Sequence, residues 1–466
     1  MNSWRSGPMV DAGQLTEPGT RHSASRIGPA LGARALGGSD TIATHLGEVT
    51  VGASDESTVS MSQVPRDASS GVADTPSAGR VAILRCGDVY ELPLRREAEA
   101  FRDEGFEVDV IQLAGDDPPE ICDVDGVRVH KLGGRRTRNV SKARYALEYA
   151  DFVVKAARRL HREHKRRPFD LVQVNTMPDF LYLATLPVRL RGAAVSVFMK
   201  EPVPELGFTL FESRWAERLL RLVERSALAY ADVAFTVTED LRQTYGSRGA
   251  DLDKIHVVLN CPDIRHLEID VEPRADDDRF VLICHGTVEP RYGHDVILDA
   301  IKIVAERVPE VQLRIAGKGE HLDSVERRIE QEGLDTHVVS LGWISMEELV
   351  AELRGADAGI VCQLSSPYSN LVHTNKMFEY IMVGIPCISA RLDAVASSFD
   401  ADSLLFFEPD DPQSLAEAII GLHDDPAMGE RAVRRARELY DSGYRWIDQR
   451  SVLIEESLSV LGHSSR

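Results

Sequence analysis

Short, almost wholly apolar runs recur down this chain, each followed by a stretch with helical spacing. Val81-Ala82-Ile83-Leu84 is the first, and Leu94 to Asp103 follows it as an amphipathic helix that Gly105 ends. Val108-Asp109-Val110-Ile111 then returns as a strand. Strand, helix, strand with a glycine stop is a βαβ unit. Further runs at Leu171 to Val174, Val195 to Phe198 and Val233 to Val237 continue the alternation. It restarts with strands at Phe280 to Cys284, Val311 to Ile315, Gly359 to Cys362, Ile388 and Leu404 to Phe407, and a helix over Asp295 to Val304. Strands that are apolar at nearly every position belong to parallel sheets covered on both faces. The fold class expected is therefore α/β, with two doubly wound Rossmann-like domains in series.

At 466 residues the chain is too long for one ordinary domain. Residues 1–78 are rich in Gly, Ser, Thr, Ala and Asp and carry no sustained period. They read as a disordered extension, or as an artefact of an upstream start site. The expected divisions are 79–262 for the first domain, 263–445 for the second and 446–466 for a C-terminal helix. That helix is read as amphipathic, with Ile447, Ile454, Leu458 and Leu461 on one face. The net charge of -20 excludes a chain-wide, non-specific nucleic-acid binder. No apolar run approaches the roughly 20 residues that span a bilayer, and no signal-peptide core opens the chain. The expected location is cytoplasmic. Six scattered cysteines without a C-x-x-C pair read as buried thiols.

The stretch from Thr374 to Ile388 carries the sharpest chemical signal. Thr374-Asn375-Lys376-Met377-Phe378-Glu379 sets a Lys and a Glu one turn apart at the start of a short helix. A helix N-terminus attracts anions, Lys376 adds a cation, and Glu379 offers an acceptor for sugar hydroxyls. The combination fits a nucleotide diphosphate-sugar. In His285-Gly286-Thr287-Val288-Glu289-Pro290-Arg291-Tyr292-Gly293, a strand runs into a Gly-containing loop at the crevice where doubly wound sheets bind ligands. Arg291 is placed there to pair with phosphate. Read alone, it is a solvated loop residue; Lys376 at the equivalent end of a later strand–helix step turns the reading toward phosphate. No G-x-G-x-x-G follows the first strand, where Cys86-Gly87-Asp88 stands instead, so a dehydrogenase is the poorer reading.

These motifs resemble the donor site of the family-4 glycosyltransferases, which have the GT-B fold, and the resemblance covers nearly everything from Arg80 onward. It implies that Gly286, Thr287, Arg291, Ile344, Thr374, Asn375, Lys376 and Glu379 bind the donor, with backbone near Ile344 facing the nucleobase. Departures are specific. Thr287 and Tyr292 stand at the family's Arg and Lys positions, with Arg291 as substitute. Leu371 stands at the first Glu of the paired-glutamate motif, with His373 as a local replacement. In the first domain, Asn175-Thr176-Met177-Pro178-Asp179-Phe180 and Lys200-Glu201-Pro202-Val203-Pro204-Glu205-Leu206 resemble strand-end loops of a polysaccharide-biosynthesis subgroup. Lys200 takes the usual His position and Glu201 the usual Asp. The resemblance thus implies Lys200, Glu201 and His373 as catalytic residues and Asn175 and Asp179 on the acceptor side. It implies a retaining hexosyltransferase without metal or cofactor, acting on a lipid-linked or glycan acceptor in cell-surface or extracellular glycan synthesis. A non-catalytic relative binding a nucleotide-sugar or a partner transferase, and a nucleotide-sugar epimerase, are the alternatives.

The run 135–167 reverses the acidic character of the chain, with twelve Lys and Arg against Glu148, Asp151 and Glu163. Tyr145, Leu147, Phe152, Val153 and Leu160 make it an amphipathic helix. It is read either as a solvated face or as a peripheral contact with an anionic membrane at the inner face of the plasma membrane. His161 and His164 have ligand-like spacing but lie within this basic run, which disfavours a metal.

Overall fold

The computed structural model describes residues 78–461 apart from 88–91, 116–117, 135–141, 212–213, 268–270 and 272–278. The expectation for 1–78 falls almost wholly outside the described residues, as does the start of the basic run 135–167.

Among the described residues the first sheet has eight strands: β1 (Gly79–Arg85), β2 (Phe106–Leu113), β3 (Glu120–Val124), β4 (Val127–Leu132), β5 (Leu171–Asn175), β6 (Ala194–Met199), β7 (Val233–Thr236) and β8 (Ile255–Val257). Their order is β3-β4-β2-β1-β5-β6-β7-β8, parallel except for the antiparallel β3–β4 pair. Every residue of β5 and β6 is buried, and all but Gln173, Asn175 and Ser196 are apolar, which is why those strands read as nearly continuous apolar runs. Sequence reading missed the β3–β4 hairpin. Its two-residue turn, Asp125-Gly126, has φ of 52° and 79°, the geometry that Asp-Gly favours in tight hairpins. The helices of this lobe are α1 (Leu92–Asp103), α2 (Lys142–Arg166), α3 (Leu186–Arg189), α4 (Val203–Phe211), α5 (Arg214–Tyr230) and α6 (Glu239–Ser247). In α2, Phe152 and Leu160 are buried as the period predicts, whereas Leu147 is exposed.

The second sheet is wholly parallel, in the order β11-β10-β9-β12-β13-β14. Its strands are β9 (Phe280–Thr287), β10 (Val311–Lys318), β11 (Val338–Gly342), β12 (Ala358–Val361), β13 (Cys387–Ala390) and β14 (Leu405–Phe407). The helices are α7 (His294–Ala305), α8 (Leu322–Glu332), α9 (Met346–Arg354), α10 (Asn375–Val383), α11 (Asp393–Ser398), α12 (Pro412–Asp424) and α13 (Pro426–Leu439).

The last helix, α14 (Trp446–Leu461), returns to the first lobe and packs on α1, β6, β7 and β8. The face it buries differs from the one expected. Trp446, Leu453 and Ile454 are inside, while Ile447 and Leu458 are exposed. The reason is the tie at its N-terminus: the Arg96 guanidinium lies over the Trp446 ring, 4.8 Å from its centroid, and Gln449 Oε1 accepts from Leu259 N at 2.8 Å. All six cysteines are free thiols, and only Cys122 is partly exposed.

The carboxyl ends of β9 and β10 approach so closely that a Cβ on Gly317 would stand 1.8 Å from Gly286 O, and one on Gly319 1.9 Å from Val288 O. Gly317→Ala should therefore cost at least about 2 kcal/mol, since backbone cannot yield as a side chain can. Gly421→Ala in α12, with only Met428 Cε at 3.6 Å, should be neutral or gain about 0.5–1 kcal/mol. Urea unfolding of the two variants checks both, and equal midpoints would contradict the close approach.

Candidate functional site

One cleft of about 490 Å³ collects residues from both lobes. From the second lobe come Gly286 and Thr287 at the end of β9, Ile344 ahead of α9, and His373, Thr374, Asn375, Lys376 and Glu379 at the start of α10. Lys200 and Glu201, after β6, line it from the first lobe. Ten of the thirteen residues singled out in the sequence are thus brought together. Arg291, Asn175 and Asp179 are not in the lining.

The second-lobe wall is made by backbone freedom and helix geometry. Gly286 adopts φ +103°, and a Cβ there would lie 2.8 Å from Lys376 Cε, so its lack of a side chain is what lets Lys376 lie across the strand end. The Lys376 ammonium stands 4.6 Å from the centroid of the Tyr292 ring, a cation–π contact at the residue that replaces the family's lysine. Thr374 is the N-cap of α10 in extended conformation, yet its side chain caps nothing. Among the described residues Thr374 Oγ1, Asn375 Oδ1 and both ring nitrogens of His373 are buried without a hydrogen-bond partner. Four such atoms at one helix N-terminus leave a set of polar groups that a ligand would satisfy. Burial holds His373 neutral, with its pKa lowered to about 4, and its ring meets Phe378 edge-on at 5.3 Å. Glu379 lies with Oε2 3.1 Å from His285 Nε2, and the His285 ring stands edge-on to Tyr380 at 5.3 Å. Sequence reading quoted His285 at the head of this loop and gave it no role.

Arg291 lies behind this wall. Its Nη1 is 2.7 Å from Glu289 Oε2, and its guanidinium faces the rings of Tyr292 and Tyr368 at 5.0 and 5.9 Å. The acid two residues before it competes for the charge that was assigned to phosphate. Lys376 is therefore the second-lobe cation in the lining.

On the first-lobe wall, Lys200 Nζ is bonded to Glu97 Oε1. The other carboxylate oxygen of Glu97 accepts from Gln173 Nε2 at 2.8 Å and Asn175 Nδ2 at 2.7 Å. Asn175 is thus a strut of the wall rather than part of its surface. Burial pulls the Lys200 pKa down to about 8, with Glu97 opposing that shift. Glu201 accepts from Tyr368 Oη of the second lobe, and burial raises its pKa. Thr238 Oγ1 donates to Leu371 O at 2.6 Å and joins the lobes again. Asp179 is buried with neither carboxyl oxygen bonded among the described residues. Desolvation by burial, and then the nearby Glu224, raise its pKa well above the ordinary Asp value. Among the described residues no group of three or more His, Cys, Asp and Glu is arranged to hold a metal ion. His164 instead accepts from Phe169 N at 3.1 Å.

The profile described as "Glycosyl transferase 4-like domain" matches residues 93–261, and "Glycosyl transferases group 1" matches 267–439. Between them they leave only 262–266 unmatched from 93 to 439. The chain belongs to the family-4-like glycosyltransferases. This glycosyltransferase is 26% identical over 172 residues to the GDP-mannose-dependent alpha-(1-6)-phosphatidylinositol monomannoside mannosyltransferase of Mycolicibacterium smegmatis, a match spanning 36% of this chain and 43% of that protein. It is 25% identical to the phosphatidyl-myo-inositol mannosyltransferase of the same organism, over 73% of this chain and 82% of the relative. Its fold is that of sucrose-phosphate synthase from Thermosynechococcus elongatus, with TM-score 0.65 and 15% identity over 83% of this chain and 100% of that one. Anabaena HepE, solved in complex with UDP-glucose, aligns with TM-score 0.62 and 15% identity, over 82% and 100% of the two chains. These similarities establish a glycosyltransferase of GT-B architecture.

The residue that sequence reading missed altogether is Glu97. Its signal was an acid one turn from Leu94 and Phe101 on the buried face of α1. Removing that carboxylate removes the charge that keeps Lys200 protonated. In Glu97→Gln the pH at which Lys200 becomes reactive toward an amine-acylating reagent should therefore fall below about 8. Peptide mass analysis of acylation against pH reads this directly, and an unmoved midpoint would dissolve the pair.

Proposed function

We propose that this glycosyltransferase moves a hexose from a nucleotide diphosphate-sugar to a lipid-linked acceptor, in the building of a cell-surface or extracellular glycan. The observation that carries the donor side is the set of buried, unpartnered polar atoms on His373, Thr374 and Asn375, with Lys376 and Glu379 in the same cleft. A diphosphate at the N-terminus of α10 meets the orphan N–H groups, the helix dipole and the Lys376 ammonium together. Glu379, with His285 Nε2 3.1 Å from its Oε2, is the acceptor for ribose hydroxyls. The lipid-linked acceptor is supported by the relatives, whose names specify phosphatidylinositol and its mannosides.

In the transfer itself the bond between the anomeric carbon and the diphosphate oxygen breaks while the acceptor hydroxyl oxygen bonds to that carbon; negative charge grows on the leaving phosphate, which takes up the hydroxyl proton. Lys376 and the helix N-terminus, placed in advance, stabilise that charge in the role a metal would otherwise fill. Lys200 adds a second cation on the opposite wall, and Glu201 faces the acceptor side. Neutral His373 offers the transferred sugar a hydrogen bond without bringing a charge. Retention of anomeric configuration rests on the family resemblance. The reaction is assigned to the cytoplasmic side of a membrane; among the described residues no helix is long and apolar enough to cross one. The alternative of a non-catalytic nucleotide-sugar binder is favoured by one feature, the pairing of Arg291 with Glu289 outside the cleft.

A thermal-shift titration with GDP, UDP, ADP, TDP and CMP should give a rise in melting temperature with one diphosphate. Glu379→Ala should weaken that ligand by about 1–3 kcal/mol and Lys376→Ala by about tenfold or more, through lost charge-assisted bonds. Absence of a shift with every nucleotide would remove the donor assignment. With the matching donor sugar, the transfer rate should fall as pH rises past about 8, where Lys200 loses its proton. In Lys200→Arg that alkaline limb should disappear. A rate indifferent to pH from 7 to 9 in the parent would take Lys200 out of the chemistry; turnover with donor alone would favour the epimerase.

A further inference from the structure

Exposed apolar side chains are concentrated on one face of this molecule. Among the described residues thirteen large hydrophobic side chains are exposed, and eight lie on neighbouring elements of the first lobe. Two are Leu147 and Val154 on α2, and three are leucines on α3 and the turns that flank it. The others, Trp215, Leu219 and Leu222, fall at i, i+4 and i+7 on α5, so they form one stripe. Trp215 is 75% exposed and Leu222 64%. The opposite face of α5, with Ala227 and Leu228, is already buried against the lobe. The helix therefore carries apolar surface on two sides, and the fold uses only one. These elements are held side by side. Tyr182 Oη, in the 3₁₀ turn Asp179–Thr185, donates to Ser226 Oγ of α5 at 3.0 Å, and Tyr149 of α2 meets Phe180 of that turn edge-on at 6.2 Å.

The polar residues around the stripe decide what covers it. Arg214, Arg218, Arg221 and Arg225 flank it on α5, and of these Arg221 is paired with Glu217 at 2.6 Å. On α2 the exposed side chains beyond Val154 are basic, with Arg158, Arg162 and Lys165 on the same side. A chain of net charge -20 has thus gathered arginine around its largest group of exposed apolar side chains. Trp with Leu, bordered by Arg, matches a surface that is apolar beneath and anionic at its boundary. Isologous pairing of two copies would set the same arginines against one another, so a second copy is the poorer occupant.

We propose that the α5 face, with α2 and α3 beside it, docks this glycosyltransferase on an anionic lipid bilayer, with Trp215, Leu219 and Leu222 entering the headgroup boundary and the arginines meeting lipid phosphates. The basic run of α2 alone supplies attraction without an anchor; α5 supplies the anchor. The proposal rests on the lipid-linked acceptor for its purpose and on the surface for its argument.

The test uses the full chain in co-sedimentation with vesicles of phosphatidylcholine alone and of phosphatidylcholine with phosphatidylglycerol. The parent should bind the anionic vesicles and not the neutral ones. The double variant W215S/L222S should bind them about tenfold more weakly or less, two exposed apolar groups having been removed from the anchor. R218E/R225E should lose binding as well. Equal binding to both vesicle types, or parental binding by either variant, overturns the proposal. So does a parent that ignores vesicles but forms a dimer that W215S/L222S abolishes, since the stripe would then belong to a second copy. Nucleotide thermal shifts on the same preparations separate the two readings. They should be unchanged in both variants, and if they are absent in the parent the donor assignment falls while the vesicle result stands.

Discussion

Two opposite charges buried on one turn of α1, Arg96 and Glu97, organise the join between the lobes and the wall of the cleft. Arg96 is 1% exposed and Glu97 fully buried. A buried charge without partners costs several kcal/mol, so the surrounding chain must come to meet it. Arg96 draws in the segment between the lobes through Cys261 O and Asn260 Oδ1, and the C-terminal helix through the Trp446 ring. Glu97 draws in Gln173 and Asn175 of β5 and Lys200 just after the adjacent β6. The helix thus fixes, from adjacent residues, where the chain leaves the first lobe, where it returns, and which cation faces the second lobe.

The two walls of the cleft are built on different principles. The first-lobe wall is a network of charged and amide side chains whose members support one another, so each is costly to lose alone. The second-lobe wall combines main chain, the glycines at the ends of β9 and β10 and the open N-terminus of α10, with side chains at that terminus, among them His373, Thr374, Asn375 and Glu379. Lys376 takes its position there from the absent side chain of Gly286. Tyr368 connects the two systems, since its hydroxyl reaches Glu201 while its ring lies before Arg291.

The strands and their parallel arrangement were legible because burial on both faces writes a nearly continuous apolar run, as in Val81 to Leu84 of β1. The donor-side residues of α10 were legible for a related reason, being local in sequence and presented by a single helix terminus. What escaped reading depends on residues far apart in the chain. Glu97 and Lys200 are separated by 103 positions and Tyr368 and Glu201 by 167, and no local pattern announces either pair. Arg291 was assigned to phosphate from its place in the loop, and its pairing with Glu289, two residues away, was not considered. The β3–β4 hairpin was missed although Asp125-Gly126 signals it, because β3 has no buried residue and neither strand has the apolar runs used elsewhere. The face of α14 was misjudged because Arg96 and Leu259, not the period of its own side chains, set its rotation.

The close approach of β9 to β10 also bears on how a protein of this kind changes its preference over evolutionary time. Where Gly286 and Gly317 line the floor, no side chain is available there to exchange: a Cβ on Gly317 would collide with Gly286 O and one on Gly286 with Lys376 Cε. Drift in specificity is thereby channelled to the rim, to positions such as Trp343, which is 69% exposed beside the cleft with the Lys318 ammonium 4.0 Å from its ring centroid. A rigid floor and a replaceable rim let a lineage keep one way of holding its ligand while sampling many ligands.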